Sequence, residues 1–391
     1  MWLWIKRFGL WFCLGLLFVS CQPRQHIADT PTPEPLDGCN LFADLHPPTL
    51  KDPAPLPDLP VCTRPPRYAA HPLFIDQTIL HHVQTIGFDT VVQVLPWRDV
   101  NPEPAVWQWA AADALVEETL SHNLNLVLRL DMPPAWARHE AAAGVPFDVA
   151  AYAAFVERVA ARYQGHLVGY IIWNEPNLAA EWSFSGANLE RQLEIGGGHV
   201  AYPPHYAGVL GVAYARIHAA DPQALVIAAG LAPTNENSLR AMDDRLFLEQ
   251  LLAAQAADCF DVLSVHAYGY GQDPLAEEPA DGLHLGRMAD LHMIMMAHGV
   301  EKPVWITELG YTVNRGSQPA VSLPQQAAYL TAALERIDRE WPWVTLTTIW
   351  NVSYGLPADD EIEGYSLLTN GVDKRPSYGA VQKYLEQVGG S

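Results

Sequence analysis

The chain has 391 residues, 49% of them hydrophobic, enough to bury one large core or two modest ones. Its formal net charge of −21, from 44 acidic and 23 basic residues, argues against a phosphate backbone as partner, so no nucleic acid is expected. The 13 tryptophans and 15 tyrosines offer flat faces with polar edges, which suit neutral hydroxylated ligands as well as a packed core.

Residues 1–21 are expected to be a signal peptide. Lys6 and Arg7 form a basic start, and the apolar run Phe8–Val19 is shorter than the roughly 17–25 residues that span a bilayer. The run closes in Phe18-Val19-Ser20-Cys21, which resembles a bacterial lipobox with Phe18 where that motif prefers leucine. The expectation is export to the outer face of a membrane with Cys21 lipidated, and plain secretion is the alternative. Membrane contact would then be through the lipid anchor alone. Residues 22–66 hold 12 of the 32 prolines and no periodic apolar pattern, and so read as an extended tether. Cys39 and Cys62 flank its second half and are expected to pair in an exported protein, leaving Cys259 as a buried thiol.

From residue 67 to residue 391 apolar strand-like runs alternate with amphipathic helical stretches. Strands are expected at Thr90–Leu95, Asn125–Asp131, Val168–Asn174, Leu225–Gly230, Val262–Ala267, Val304–Glu308 and Thr345–Trp350, with an eighth, weakly patterned, near Arg67–Phe74. Helices are expected near Ile79–Ile86, Ala110–His122, Asp148–Tyr163, His205–Ala219, Arg245–Ala256, Leu285–His298, Gln325–Glu340 and Tyr378–Val388. Near-continuous apolar strands separated by helices imply a parallel sheet covered on both faces. Eight such units fit a closed (β/α)8 TIM barrel. An open doubly wound sheet would carry a glycine-rich phosphate turn, and Gly269-Tyr270-Gly271 does not complete one.

Two of these strands end in a carboxylate. Gly169-Tyr170-Ile171-Ile172-Trp173-Asn174-Glu175-Pro176 is an apolar run stopped by proline, and Val304-Trp305-Ile306-Thr307-Glu308 repeats the pattern at the seventh strand. In a barrel both glutamates project into the same C-terminal mouth, where chemistry is placed. Two carboxyls facing one pocket are what glycoside hydrolysis needs, one to protonate the leaving oxygen and one to attack or stabilise the charged sugar.

These stretches resemble the clan A glycoside hydrolases. Trp173-Asn174-Glu175-Pro176 is similar to that clan's fourth-strand motif, which implies Glu175 as general acid/base and Asn174 as a ligand of the sugar 2-hydroxyl. Thr307-Glu308-Leu309-Gly310 resembles its nucleophile motif. Ser264-Val265-His266-Ala267-Tyr268 is similar to its sixth-strand end, whose tyrosine hydrogen-bonds the nucleophile, and Trp350 falls where the eighth strand carries a sugar-stacking tryptophan. Pro133-Pro134-Ala135-Trp136 is a lesser echo that adds Trp136 to the expected substrate wall. The resemblance implies a retaining glycosidase that cleaves O-glycosidic bonds of poly- or oligosaccharides by double displacement, with no cofactor and no metal. A carbohydrate-binding lipoprotein that kept the barrel and lost turnover is the rival.

The sequence departs from the clan on the second strand, Val91-Val92-Gln93-Val94-Leu95, where several families carry an arginine, and on the first, which has no match. Arg129 and Asp131 on the third strand either supply those contacts or form a salt-linked pair at the mouth. His266 alone would read as an interior histidine, but beside Tyr268 at a strand end it is expected in the substrate-shaping shell; Trp97, Trp136 and Trp182 read as core or sugar platforms equally. Leu291–Met296 reads as helix packing, and Glu181, Glu277 and Glu278 as solvated loop acids. No His-Glu-x-x-His, paired Cys-x-x-Cys or Gly-x-Ser-x-Gly pattern is present.

Overall fold

The computed structural model describes residues 37–45, 65–138, 144–183, 200–279, 281–316 and 318–389. The expected signal peptide with Cys21, most of the tether and Cys62 lie outside the described residues.

Eight parallel strands close into a barrel in sequence order: β1 (Tyr68–Ala70), β2 (Thr90–Pro96), β3 (Asn125–Asp131), β4 (Gly169–Ile172), β5 (Leu225–Leu231), β6 (Val262–His266), β7 (Val304–Leu309) and β8 (Val344–Ile349). A helix follows each: α1 (Gln77–Ile86), α2 (Ala110–Ser121), α3 (Val149–Arg162), α4 (Pro203–Ala220), α5 (Asp244–Ala253), α6 (Arg287–Ala297), α7 (Leu323–Glu340) and α8 (Pro376–Gly389). This is the expected (β/α)8 architecture. Among the described residues no helix is long and apolar enough to cross a membrane.

Local chemistry sets the helix ends. The Asp148 carboxylate caps α3 by accepting from Ala151 N, and Ser322 and Gln325 form a reciprocal capping box on α7. Alternation along the strands then divides the core. Ala69, Val92, Val127, Ile171, Ile227, Val262, Trp305 and Leu346, one from each strand, fill the barrel interior as one buried cluster. Their neighbours in sequence point outward into the larger layer beneath the helices, which Trp97 and Trp182 join as fully buried core.

The cysteine pairing differs from expectation. Cys39 is bonded to Cys259, with Cα atoms 5.9 Å apart, and not to Cys62. Residues 37–45 are docked here and not extended: Gly38 N donates to Ala254 O at 2.9 Å, and Cys39 crosses α4 at Gly211, where a side chain would collide with the Cys39 carbonyl. That crossing sets Cys39 beside the one-turn helix Ala256–Cys259, a proximity that sequence distance concealed.

Candidate active site

Each side chain at the C-terminal mouth can be traced to its strand. On β3, Val127 lies in the barrel interior, so Arg129 and Asp131 face the axis above it. The same alternation carries Ala69 to His71, Val262 to His266, and Leu346 to Trp350.

Two strands break the alternation, and these are the ones that end in the glutamates. After Ile171 the next inward residue would be Trp173. Its φ of +76° turns the indole out to stack on Phe147, with ring centroids 4.7 Å apart. Asn174 then faces the mouth, and Glu175, itself at φ +36°, follows with its N–H on Gly230 O. Left-handed backbone at two consecutive alternate non-glycine residues is strain of the kind that gathers at functional sites. On β7 the register slips, with Ile306 opposite Val265 but Glu308 opposite His266. That irregularity aims Glu308 inward although Ile306 points out, a common use of a bulge beside a site.

The two glutamates meet at His266. Its Nδ1 lies 2.8 Å from Glu175 Oε1 and 3.6 Å from Glu308 Oε2. Gly230 makes room for this ring, because a Cβ there would overlap its Nε2 edge. The Tyr268 hydroxyl donates to Glu308 Oε2 at 2.5 Å. Arg129 donates from Nη1 to Glu308 Oε1 at 3.3 Å and to Asn174 Oδ1 at 2.9 Å, and from Nε to Asp131 Oδ2 at 2.9 Å. Arg129 is therefore both the salt-linked partner of Asp131 and a contact to Glu308.

Charge follows from this geometry. Burial opposes ionisation of Glu308, yet His266, Arg129 and the Tyr268 hydroxyl outweigh it and hold the carboxyl below its usual range. Burial likewise disfavours the His266 cation, but Glu308 and Glu175 overcome that and raise its pKa. His71, 4.0 Å from Glu308, is pushed down to about 3 by burial and by Arg129, so it is a neutral neighbour and not a counter-charge.

The glutamates open onto a cleft of about 1060 Å³, at the upper end of the sizes usual for ligand sites. Asn174, Tyr268 and Trp350 line it, with Tyr354 and Tyr365 beside Trp350. His266 lies just beneath, against the two glutamates. Trp136 does not reach the wall. Its indole N–H is committed to Asn101 O at 3.0 Å and its ring packs edge-on against buried Trp97.

Sequence reasoning missed three members. His71 was hidden by a strand only three residues long, though its spacing from Ala69 marks it as inward. Gln93 lines the cleft where an arginine had been sought. Glu181, expected to be solvated, sits on the cleft wall and accepts from Asn174 Nδ2 at 3.2 Å. Glu278 is not a free solvated acid either, for it pairs with Arg336 at 2.7 Å; Glu277 is exposed.

Glu175, His266 and Glu308 could offer a metal three ligand atoms within 4.8 Å of one another. The Arg129 guanidinium, 3.3 Å from Glu308, already compensates that carboxylate, which weakens the group as a cation site.

The fold is that of the clan A glycoside hydrolases. Among solved structures the chain is similar to a family 39 glycoside hydrolase from Bacteroides cellulosilyticus WH2, at TM-score 0.62 and 17% identity over 85% of this chain and 66% of that one. It is similar also to GH5_18 from Streptomyces cattleya in complex with GlcNAc, at TM-score 0.60 and 17% identity over 84% and 81% of the two chains. A third is native xylanase 10B from Thermotoga maritima, at TM-score 0.56 and 16% identity over 82% and 94%. At such identities the likeness is one of fold. No family model matches the chain, and no curated protein matches its sequence.

Proposed function

We propose that this barrel is a retaining glycoside hydrolase acting on O-glycosidic bonds of poly- or oligosaccharides. The observation that carries the reading is the approach of Glu175 and Glu308, one carboxylate oxygen of each lying within 4.8 Å of the other beside His266 Nδ1. Retaining enzymes hold their carboxyls about 5–5.5 Å apart, whereas inverting ones leave about 6.5–9.5 Å for a water. The close approach supports attack by the protein itself.

Glu308 is the nucleophile: buried, held ionised, and steadied by Tyr268 and Arg129. It attacks the anomeric carbon as Glu175 protonates the departing glycosidic oxygen, giving a glycosyl ester on Glu308 and a free leaving group. Glu175, now a carboxylate, takes a proton from water, whose oxygen attacks the anomeric carbon and frees Glu308. Sugar-active names and a bound GlcNAc among the similar structures support a carbohydrate substrate.

The test is a screen of aryl β-glycosides (glucoside, xyloside, mannoside, galactoside and arabinoside), with the anomer first released read by NMR. Turnover of at least one with retained configuration is expected. An inverted product would reject double displacement.

Export with lipidation of Cys21 is part of the same proposal, and the Cys39–Cys259 bond fits an oxidising compartment. Cys21→Ser should shift the protein from the membrane to the soluble fraction at unchanged specific activity. Undiminished membrane retention would reject lipidation at this residue.

A further inference from the structure

We propose that the cleft has an apolar arm over the outer face of β2 that takes a hydrocarbon chain, so that the sugar transferred to Glu308 is one bearing an acyl or alkyl substituent. The inference rests on the glycosidase reading above and names its substrate class.

The cavity that holds the glutamates spills over the end of β2. Val92 faces the barrel axis, so Val94 and Pro96 above it face the mouth, while Gln93 and Leu95 point the other way, toward the helices. All four of these line the same cavity. Outward strand residues are ordinarily sealed by the flanking helices. Here the seal is incomplete. One wall is the loop Leu73-Phe74-Ile75 after β1, and the other is the first turns of α2, where Ala111 is small and Leu115 only half-buried. Gln93 Nε2 donates to Leu73 O at 2.9 Å and so pins that loop beside the strand. Phe74 is 69% exposed on the cavity wall, an apolar surface that a bound chain would cover.

The two oxygens of Glu308 tell which part of the substrate meets this arm. Oε2 lies 3.6 Å from His266 Nδ1, and the same nitrogen holds Glu175 at 2.8 Å. Oε1 faces the other way, to Arg129 at 3.3 Å and His71 at 4.0 Å. The departing oxygen has to lie beside Glu175, so the leaving group occupies the β6 side and the transferred ring extends toward His71, one residue past β1. Because β1 pairs with β2, the arm opens beyond that ring. It offers a further sugar residue little. The Gln93 amide donor is spent on Leu73 O, its Oε1 is buried, and the neighbouring Arg98 and Asp99 face each other at 3.9 Å. A chain gains from every CH2 that the walls take out of water.

The experiment takes the aryl glycosides of the screen above, places an octanoyl or an acetyl ester on each sugar hydroxyl in turn, and measures kcat/KM for the full chain. At one position the octanoyl ester should exceed the acetyl ester by ~tenfold or more, a fraction of what full burial of the longer chain would give. Two variants then locate the chain. Ala111→Glu puts a carboxylate on the arm's wall, and Phe74→Ser removes the ring at its edge; each should cut the octanoyl-to-acetyl ratio at least about fivefold. Both positions are exposed, and a glutamate suits the first turn of α2, so both variants should fold; either alone suffices. An octanoyl-to-acetyl ratio near or below one at every position, or a ratio that neither variant changes, overturns the assignment. An unaltered protein inactive on every glycoside, acylated or not, overturns the glycosidase reading instead.

Discussion

Arg129 Nη1 stands 3.3 Å from Glu308 Oε1, an arginine from the third strand on the carboxylate of the seventh. It also holds Asp131 and Asn174, so one guanidinium serves three acceptors in a fork that lysine cannot reproduce. Arg129→Lys should lower kcat/KM on the order of 100-fold, ~2.7 kcal/mol of barrier. It should also raise the pKa of the acidic limb of the pH–rate profile, since a cation that favours ionised Glu308 is displaced. The sign for stability is the same. The folded-state pKa of Glu308 lies below its unfolded value near 4.5, so its contribution is present above that pH and is lost as pH falls through the folded value. An unmoved acidic limb would count against Arg129 as the partner of the nucleophile.

The Cys39–Cys259 bond spans 220 residues and ties the segment before the barrel to the end of the helix layer. In the loop-entropy model a closure of that length is worth about 5 kcal/mol. A non-reduced digest should link the Cys39 and Cys259 peptides, and Cys259→Ser should lower the melting temperature without changing specific activity. A Cys39–Cys62 peptide in its place would contradict the docked geometry.

Much of the frame was legible in the sequence because strands buried on both faces read as apolar runs and helices as amphipathic ones. Asn125–Asp131 was found to the residue, whereas β1, with three residues, left too little pattern to place His71. Glu175 and Glu308 were legible as carboxylates closing apolar runs, although strict alternation from Ile171 and Trp305 would have aimed Asn174 and Glu308 outward. Only the left-handed turn at Trp173 and the slipped register on β7 bring them inward, and neither has a sequence signature of its own. Glu181 and the partner of Cys39 depend on how loops fold back on the barrel. Trp136 failed for the converse reason, a local echo without the tertiary placement.

Trp350 stands half-buried on the cleft wall, its ring edge-on to Tyr268 at 5.9 Å and Tyr365 at 5.0 Å. These neighbours fix its plane, so its remaining face is available to a sugar ring. Trp350→Ala should lower kcat/KM at least about tenfold, ~1.4 kcal/mol, with circular dichroism unchanged. Near-normal catalysis in a folded variant would assign the ring to packing alone.

The measurement that bears most directly on the account is the stereochemistry of azide rescue, because the two glutamates are given opposite roles on one sugar carbon. Glu175→Ala should retain glycosylation by aryl glycosides with acidic phenols and accumulate the ester on Glu308, since no base remains to activate water. Azide needs no base, so it should relieve that block and give a glycosyl azide of retained configuration. Glu308→Ala lacks the attacking atom, so every substrate should slow together whatever its leaving group. Any azide product there arises by direct attack and carries inverted configuration. Opposite anomers from the two variants are the expected result; the same anomer from both, or substantial unaided activity in Glu308→Ala, would contradict the assignment.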